Sequence, residues 1–145
     1  MPGMISRYQK RISSPILDRI DLHLDVPAVP TEKLTKSNQL QGDNSQIVKS
    51  RVQNARFHQQ RRFANLGIFA NSEMSTKIVR EYCPLSQDCY NLLQKAVAKM
   101  KLSVRSYYKI IKIARTIADL VDERYIQPNH IAEALQYRPK LEEQY

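Results

Sequence analysis

Between Ser103 and Val121 apolar side chains nearly encircle one helix: Val104, Tyr107, Tyr108, Ile110, Ile111, Ile113, Ala114, Ile117, Ala118, Leu120 and Val121. A helix with one apolar stripe can lie on a surface, but a helix apolar all round has to be covered on every side. The segment therefore predicts the centre of a helical bundle, with Ser103 as its N-cap. The surrounding sequence supplies the neighbours. Asn44 or Ser45 caps a helix that places Val48, Val52, Ala55, Gln59 and Phe63 on one face and stops at Asn65-Leu66-Gly67. A short helix runs from about Ser75 to Tyr82 with Ile78, Val79 and Tyr82 inward, and Pro84 breaks the chain. Ser86 caps the next, with Cys89, Leu92, Leu93, Ala96, Val97 and Met100 apolar. Pro128 opens the last at a position where a missing N–H costs nothing. Its inward residues read as Ile131, Ala132 and Leu135, and Arg138-Pro139 closes it. Residues 45–138 thus predict a small bundle with short connections.

The N-terminal part follows a different pattern. Ser13 or Ser14 with Pro15 opens a turn to Arg19 that carries Ile16 and Leu17 inward. Ile20, Leu22, Leu24 and Val26 then alternate with Asp21, His23 and Asp25, the period of a short half-buried strand, ended by Pro27. A single strand cannot stand alone, and nothing downstream reads as its partner. It predicts an orphan edge of a sheet built from upstream sequence. From Pro27 to about Asn44 the composition turns polar. The expected organisation is residues 1–30 as a stub of an α/β core, 31–44 as a linker and 45–140 as a helical domain.

Charge narrows the partners. The net charge is +9, with eleven basic against five acidic residues in positions 1–70 and twelve against nine in 71–145. Such an excess suits a polyanion, and it equally suits a basic protein with solvated lysines. No apolar run approaches the roughly 18 residues of a membrane span, and no signal-type apolar stretch follows the early basic residues, so a cytoplasmic protein is expected. Cys83 and Cys89 lack metal-ligand spacing and read as buried reduced thiols, and His23, His58 and His130 form no triad or metal pattern, so no metal site is expected.

Two arginines carry what chemistry the residues suggest. Arg19 and Arg105 each border a segment that looks buried, so each guanidinium should point in a defined direction, and a fixed cationic fork suits a phosphate chain. Arg19 is flanked by Asp18 and Asp21 and is either a surface arginine paired with one of them or an arginine finger. Arg105 sits in the first turn of the central helix, where free N–H groups favour an anion. Alternatively it joins Lys109 and Lys112 in a basic face. Lys49, Arg56, Arg61 and Arg62 on the first helix could contact a nucleic-acid backbone or form a solvated face. No G-x-x-x-x-G-K-[ST] occurs and no acidic strand end could hold magnesium. The chain alone is therefore not expected to bind or hydrolyse ATP well.

Three stretches in order resemble one family. They are SSPILDRIDLHLDVP at Ser13–Pro27, LSVRSYYKIIKIARTIADL at Leu102–Leu120 and HIAEALQYR at His130–Arg138. Together they resemble the C-terminal part of the magnesium chelatase-like AAA+ ATPases, in particular the bacterial competence-related ComM/YifB group. The resemblance implies a homo-hexameric ring with ATP and Mg2+ between subunits. In the competence group it implies a DNA motor of the branch-migration or helicase type. In the chelatase subunit proper it implies ATP-driven metal insertion into a porphyrin. It maps Arg19, in the LDR sequence, onto the arginine finger that acts on a neighbouring subunit. It maps Arg105, in the SVRS turn, onto the sensor-2 arginine that touches the terminal phosphate. Walker A, Walker B and sensor 1 lie upstream in the family and are missing here. The implied object is a C-terminal fragment, the end of the ATPase core plus a complete helical lid. It should be inactive alone, with no nucleotide expected bound to it. A non-enzymatic helical nucleic-acid-binding module is the rival from another class.

Overall fold

The computed structural model describes residues 16, 18–28 and 42–138. The predicted cap at Ser13 or Ser14, the inward Leu17 and most of the linker lie outside these residues. The rest is mostly α-helical: α1 Ser45–Arg62, a 3-10 turn Asn71–Glu73, α2 Thr76–Tyr82, α3 Gln87–Met100, α4 Val104–Leu120 and α5 Pro128–Gln136.

Local chemistry starts each helix. The side chains of Asn44, Ser75, Ser86 and Ser103 accept a hydrogen bond from the N–H three residues on, at 2.9, 3.3, 3.3 and 3.1 Å. This satisfies one of the four donors a helix start leaves without a partner. Pro128 takes the first position of α5, and His130 Nδ1 accepts from the Gln127 N–H at 3.1 Å. Helix α3 ends on Lys101 in the left-handed region (φ 48°), with the Leu102 N–H bonded to the Val97 carbonyl. That conformation is more usual for glycine.

Helix α4 is the centre, as its all-round apolar character requires. It packs against α1, the 3-10 turn, α2 and α5, while α3 packs on α5. Phe63, Val79, Cys83, Cys89, Leu93, Ile110, Ile111, Ala114, Ile117, Ile131 and Ala134 form one buried cluster. Both cysteines are free thiols inside it, and burial pushes the Cys83 thiol up to about 11. Among the described residues no helix is long and apolar enough to cross a membrane.

Ile16, expected inward, is 53% exposed. Residues 20–26 form no β-ladder among the described residues, and Leu24 and Val26 are 69% and 89% exposed. An alternating pattern prepares a sheet face, but a ladder needs a second strand, and no described segment offers one. Only the first half of the predicted α1 face fails. Ala55, Gln59 and Phe63 are buried, yet Val48 and Val52 are 43% and 45% exposed. Val52 shares a groove with Leu120, the last residue of α4, so the earlier turns of α1 have no described helix to lie on. In α5, Ala134 and not Ala132 faces inward with Ile131. A step of three residues returns to the same face, and a step of one does not.

Candidate functional site

The turn at Asp18–Asp21 is fastened to the N-terminal half of α4. Asp18 Oδ1 accepts from the Ser106 hydroxyl at 2.6 Å and from Arg138 Nη2 at 3.2 Å, and the Ser103 hydroxyl lies 3.4 Å from both carboxylate oxygens. Lys109 Nζ donates to the Asp18 and Arg19 carbonyls at 2.9 and 2.7 Å and pairs with Asp21 Oδ1 at 2.6 Å. Two residues further on, the His23 N–H donates to the Tyr137 carbonyl at 2.9 Å. A short segment from the start of the chain is thus clamped between the start of α4 and the end of α5.

The clamp bears directly on the two arginines. Asp18 and Asp21, the flanking carboxylates, turn to α4 and α5. Arg19 is exposed, on a turn whose backbone is held at both carbonyls and by its own N–H to the Ile16 carbonyl at 2.9 Å. Arg105 is also exposed, one helical turn before Lys109, and makes no hydrogen bond or ion pair among the described residues. Lys109 and Lys112 do not form a solvated basic face with it. Lys109 grips the Asp18–Asp21 turn, and Lys112 donates to the Ser72 carbonyl at 2.9 Å. Burial lowers the Lys112 pKa, and Arg105 and Lys109 add to the fall. Arg105 lies in the first turn of α4, where helix-start N–H groups favour an anion, and Arg19 is carried on the turn whose backbone is clamped to the same helix.

The Ser106 hydrogen bond, more than any other contact, holds the Asp18 carboxyl below its ordinary value of 3.8; Arg138 adds to this, and burial opposes it. A depressed carboxylate stabilises the fold above its unfolded pKa, and that contribution is lost as pH falls through the folded value. In a carbon-detected NMR titration, Asp18 should show a midpoint below 3.8. A midpoint at or above that value would mean the clamp is not formed in solution.

The candidate nucleic-acid residues divide. Lys49, Arg56 and Arg61 are exposed on α1, with Arg61 stacked over the Phe57 ring at 5.6 Å. Arg62 turns inward. It binds Asp119 through two nitrogens at 2.9 and 2.5 Å and donates to Asn71 at 3.0 Å. Its assignment to a nucleic-acid face is corrected: Asp119, buried in α4, needs a cation, and Arg62 is the one within reach from α1. Arg115 serves the same carboxylate at 3.1 Å and also donates to the Glu123 and Arg124 carbonyls.

Sequence reasoning missed Asp119, Ser106 and Arg138. Asp119 had one signal, an acidic residue four places after Arg115 inside an apolar helix. Ser106 and Arg138 had none, because their partner Asp18 lies 88 and 120 positions away.

Residues 42–138 match the family described as magnesium chelatase, subunit ChlI C-terminal, and residues 1–34 match magnesium chelatase, subunit ChlI. The chain belongs to the magnesium chelatase ChlI family. In this ChlI-family chain the clamp joins the two matched segments, with Asp18 and Arg19 in one and Ser103, Arg105, Ser106, Lys109 and Arg138 in the other. The chain is 39% identical over 137 residues to the competence protein ComM of Haemophilus influenzae. It is 35% identical over the same length to the YifB protein of Escherichia coli. Each alignment covers 94% of this chain and 26% of the relative, so the chain spans about a quarter of their length.

Proposed function

We propose that this chain is the C-terminal part of a ring-forming AAA+ ATPase that couples ATP hydrolysis to movement on DNA. In this reading Arg19 is the arginine finger presented to a neighbouring subunit, and Arg105 is the sensor-2 arginine that meets the terminal phosphate. The observation that supports it best is the clamp. It binds the Arg19 turn and the Arg105 turn to one another through Asp18, Ser106 and Lys109. A lid that moves when the terminal phosphate is lost would carry Arg19 with it, so two arginines would report one event. Loose turns could not transmit such a shift.

The remaining parts come from elsewhere in the ring. ATP is the substrate, and Mg2+ would neutralise its phosphates. Among the described residues no cluster of three carboxylate, histidine or cysteine groups could hold the ion, so this reading assigns it to upstream sequence. The partners are neighbouring subunits of a homo-hexamer and DNA, with Lys49, Arg56 and Arg61 as candidate phosphate contacts. The competence protein ComM among the relatives favours DNA. The family's own description supports the alternative, the ATPase subunit of a porphyrin metal-insertion complex.

Turnover of the full-length protein separates the readings. ATPase activity measured with and without branched DNA should rise several-fold with DNA. No response to DNA, with stimulation by porphyrin and partner subunits instead, would move the assignment to the chelatase reading. Absent turnover beside tight DNA binding with a steep salt slope would leave only a binding module.

A further inference from the structure

Arg138 lies at the end of α5, with its side chain only 5% exposed. Among the described residues one of its nitrogens does all the bonding. Nη2 donates to the Ser106 hydroxyl at 2.6 Å and to Asp18 Oδ1 at 3.2 Å. Nε and Nη1 are buried with no acceptor among the described residues. Burying N–H donors without acceptors is unfavourable, and a brace made only for stability would be better served by an apolar side chain.

The polarity of the contacts gives Arg138 another use. A serine hydroxyl has one proton and two acceptor lone pairs. Arg138 can only donate, so the Ser106 oxygen accepts from it and its proton goes to Asp18. Ser106 is buried, 1% exposed, which shields this hydroxyl from solvent. Arg138, Ser106 and Asp18 thus form a directional chain that ends one residue before Arg19. It starts two residues past the end of α5, the helix that packs on α4.

We propose that Arg138 is a positioning residue for the Arg19 guanidinium, acting through Ser106 and Asp18. The proposal rests on reading Arg19 as a phosphate-facing finger. Arg138 touches no nucleotide and sets only the direction in which the Arg19 turn is presented relative to Arg105.

The test uses the full-length ATPase and four variants: Arg19→Ala, Arg138→Met, Arg138→Lys and the Arg19→Ala/Arg138→Met double. Misplacing a catalytic group by about 1 Å can cost about 100-fold. Arg138→Met is therefore expected to lower kcat by about that factor with KM for ATP unchanged, and Arg138→Lys to recover part of the loss. In the Arg19→Ala background, Arg138→Met should lower kcat no further, because two residues acting as one unit are not additive. Wild-type kcat in Arg138→Met, or an equal further loss in the double variant, would overturn the proposal. Full turnover in Arg19→Ala would instead reject the finger reading itself. If Arg138→Met fails to assemble, Ser106→Ala removes one oxygen from the same chain. The same kcat-only loss supports the proposal, and wild-type kcat there overturns it.

Discussion

Arg19→Ala in the full-length protein is expected to reduce ATP turnover by roughly 10³-fold or more, the scale on which arginine fingers act elsewhere. The fold should be intact, because Arg19 is exposed and the clamp uses its backbone carbonyl, which alanine retains. Arg105→Ala should also reduce turnover strongly without melting the lid, since Arg105 is exposed and braces nothing among the described residues. Steady-state ATPase rates with matched helical circular dichroism would measure both. A subunit-mixing assay adds the direction of action. Subunits carrying Arg19→Ala, mixed with subunits whose phosphate-binding loop is disabled, should regain part of the turnover, because each supplies what the other lacks. Unchanged turnover in the single variants would remove both arginines from the chemistry.

The second large effect is on stability. Asp119→Ala should destabilise the bundle by about 3–5 kcal/mol, the usual result of leaving buried charges without their partner. The side chain of Asp119 is 1% exposed and accepts from Arg62, Arg115 and Asn71. Removing it strands two guanidinium groups at once. For a bundle of this size each kcal/mol moves Tm by about 4–8 °C, so a fall of more than about 10 °C is expected. Against a total stability of roughly 5–15 kcal/mol, that is a large share. Replacing all three charges, with Asp119→Leu, Arg62→Leu and Arg115→Met, should recover only part of it. Arg115 also donates to the Glu123 and Arg124 carbonyls, and those acceptors would lose their donor. Urea unfolding followed by helical signal gives the numbers. A loss under about 1 kcal/mol would mean that the network is solvated, as exposed pairs are.

Charge partners show where reading the chain residue by residue stops. The apolar belt of α4 announced its own burial, Ser86 and Ser103 announced helix starts, and the first cap was narrowed to Asn44 or Ser45, of which the structure uses Asn44. These are short-range facts: a cap reaches three residues, and an apolar face repeats every three or four. Arg61 and Arg62 are neighbours of the same type, yet one stacks on Phe57 at the surface and the other enters the interior. Nothing local distinguishes them. The distinction comes from Asp119, 57 positions later. The alternating segment at 20–26 shows a related limit. Its pattern specified a face, but a strand exists only with a partner.

The candidate site divides in the same way. Arg19 and Arg105 were legible as guanidinium groups at the borders of apolar segments, because permanent charge beside an apolar run is visible in one dimension. That Asp18 turns to Ser106 and Arg138 was not, and neither was the grip of Lys109 on the Arg19 carbonyl. The amino-acid order alone determined the helices, their caps and the central place of α4, since hydrophobic period and capping act over a few residues. Only the packed chain decided which charges are joined, because a carboxylate takes whichever donor folding brings within about 3 Å.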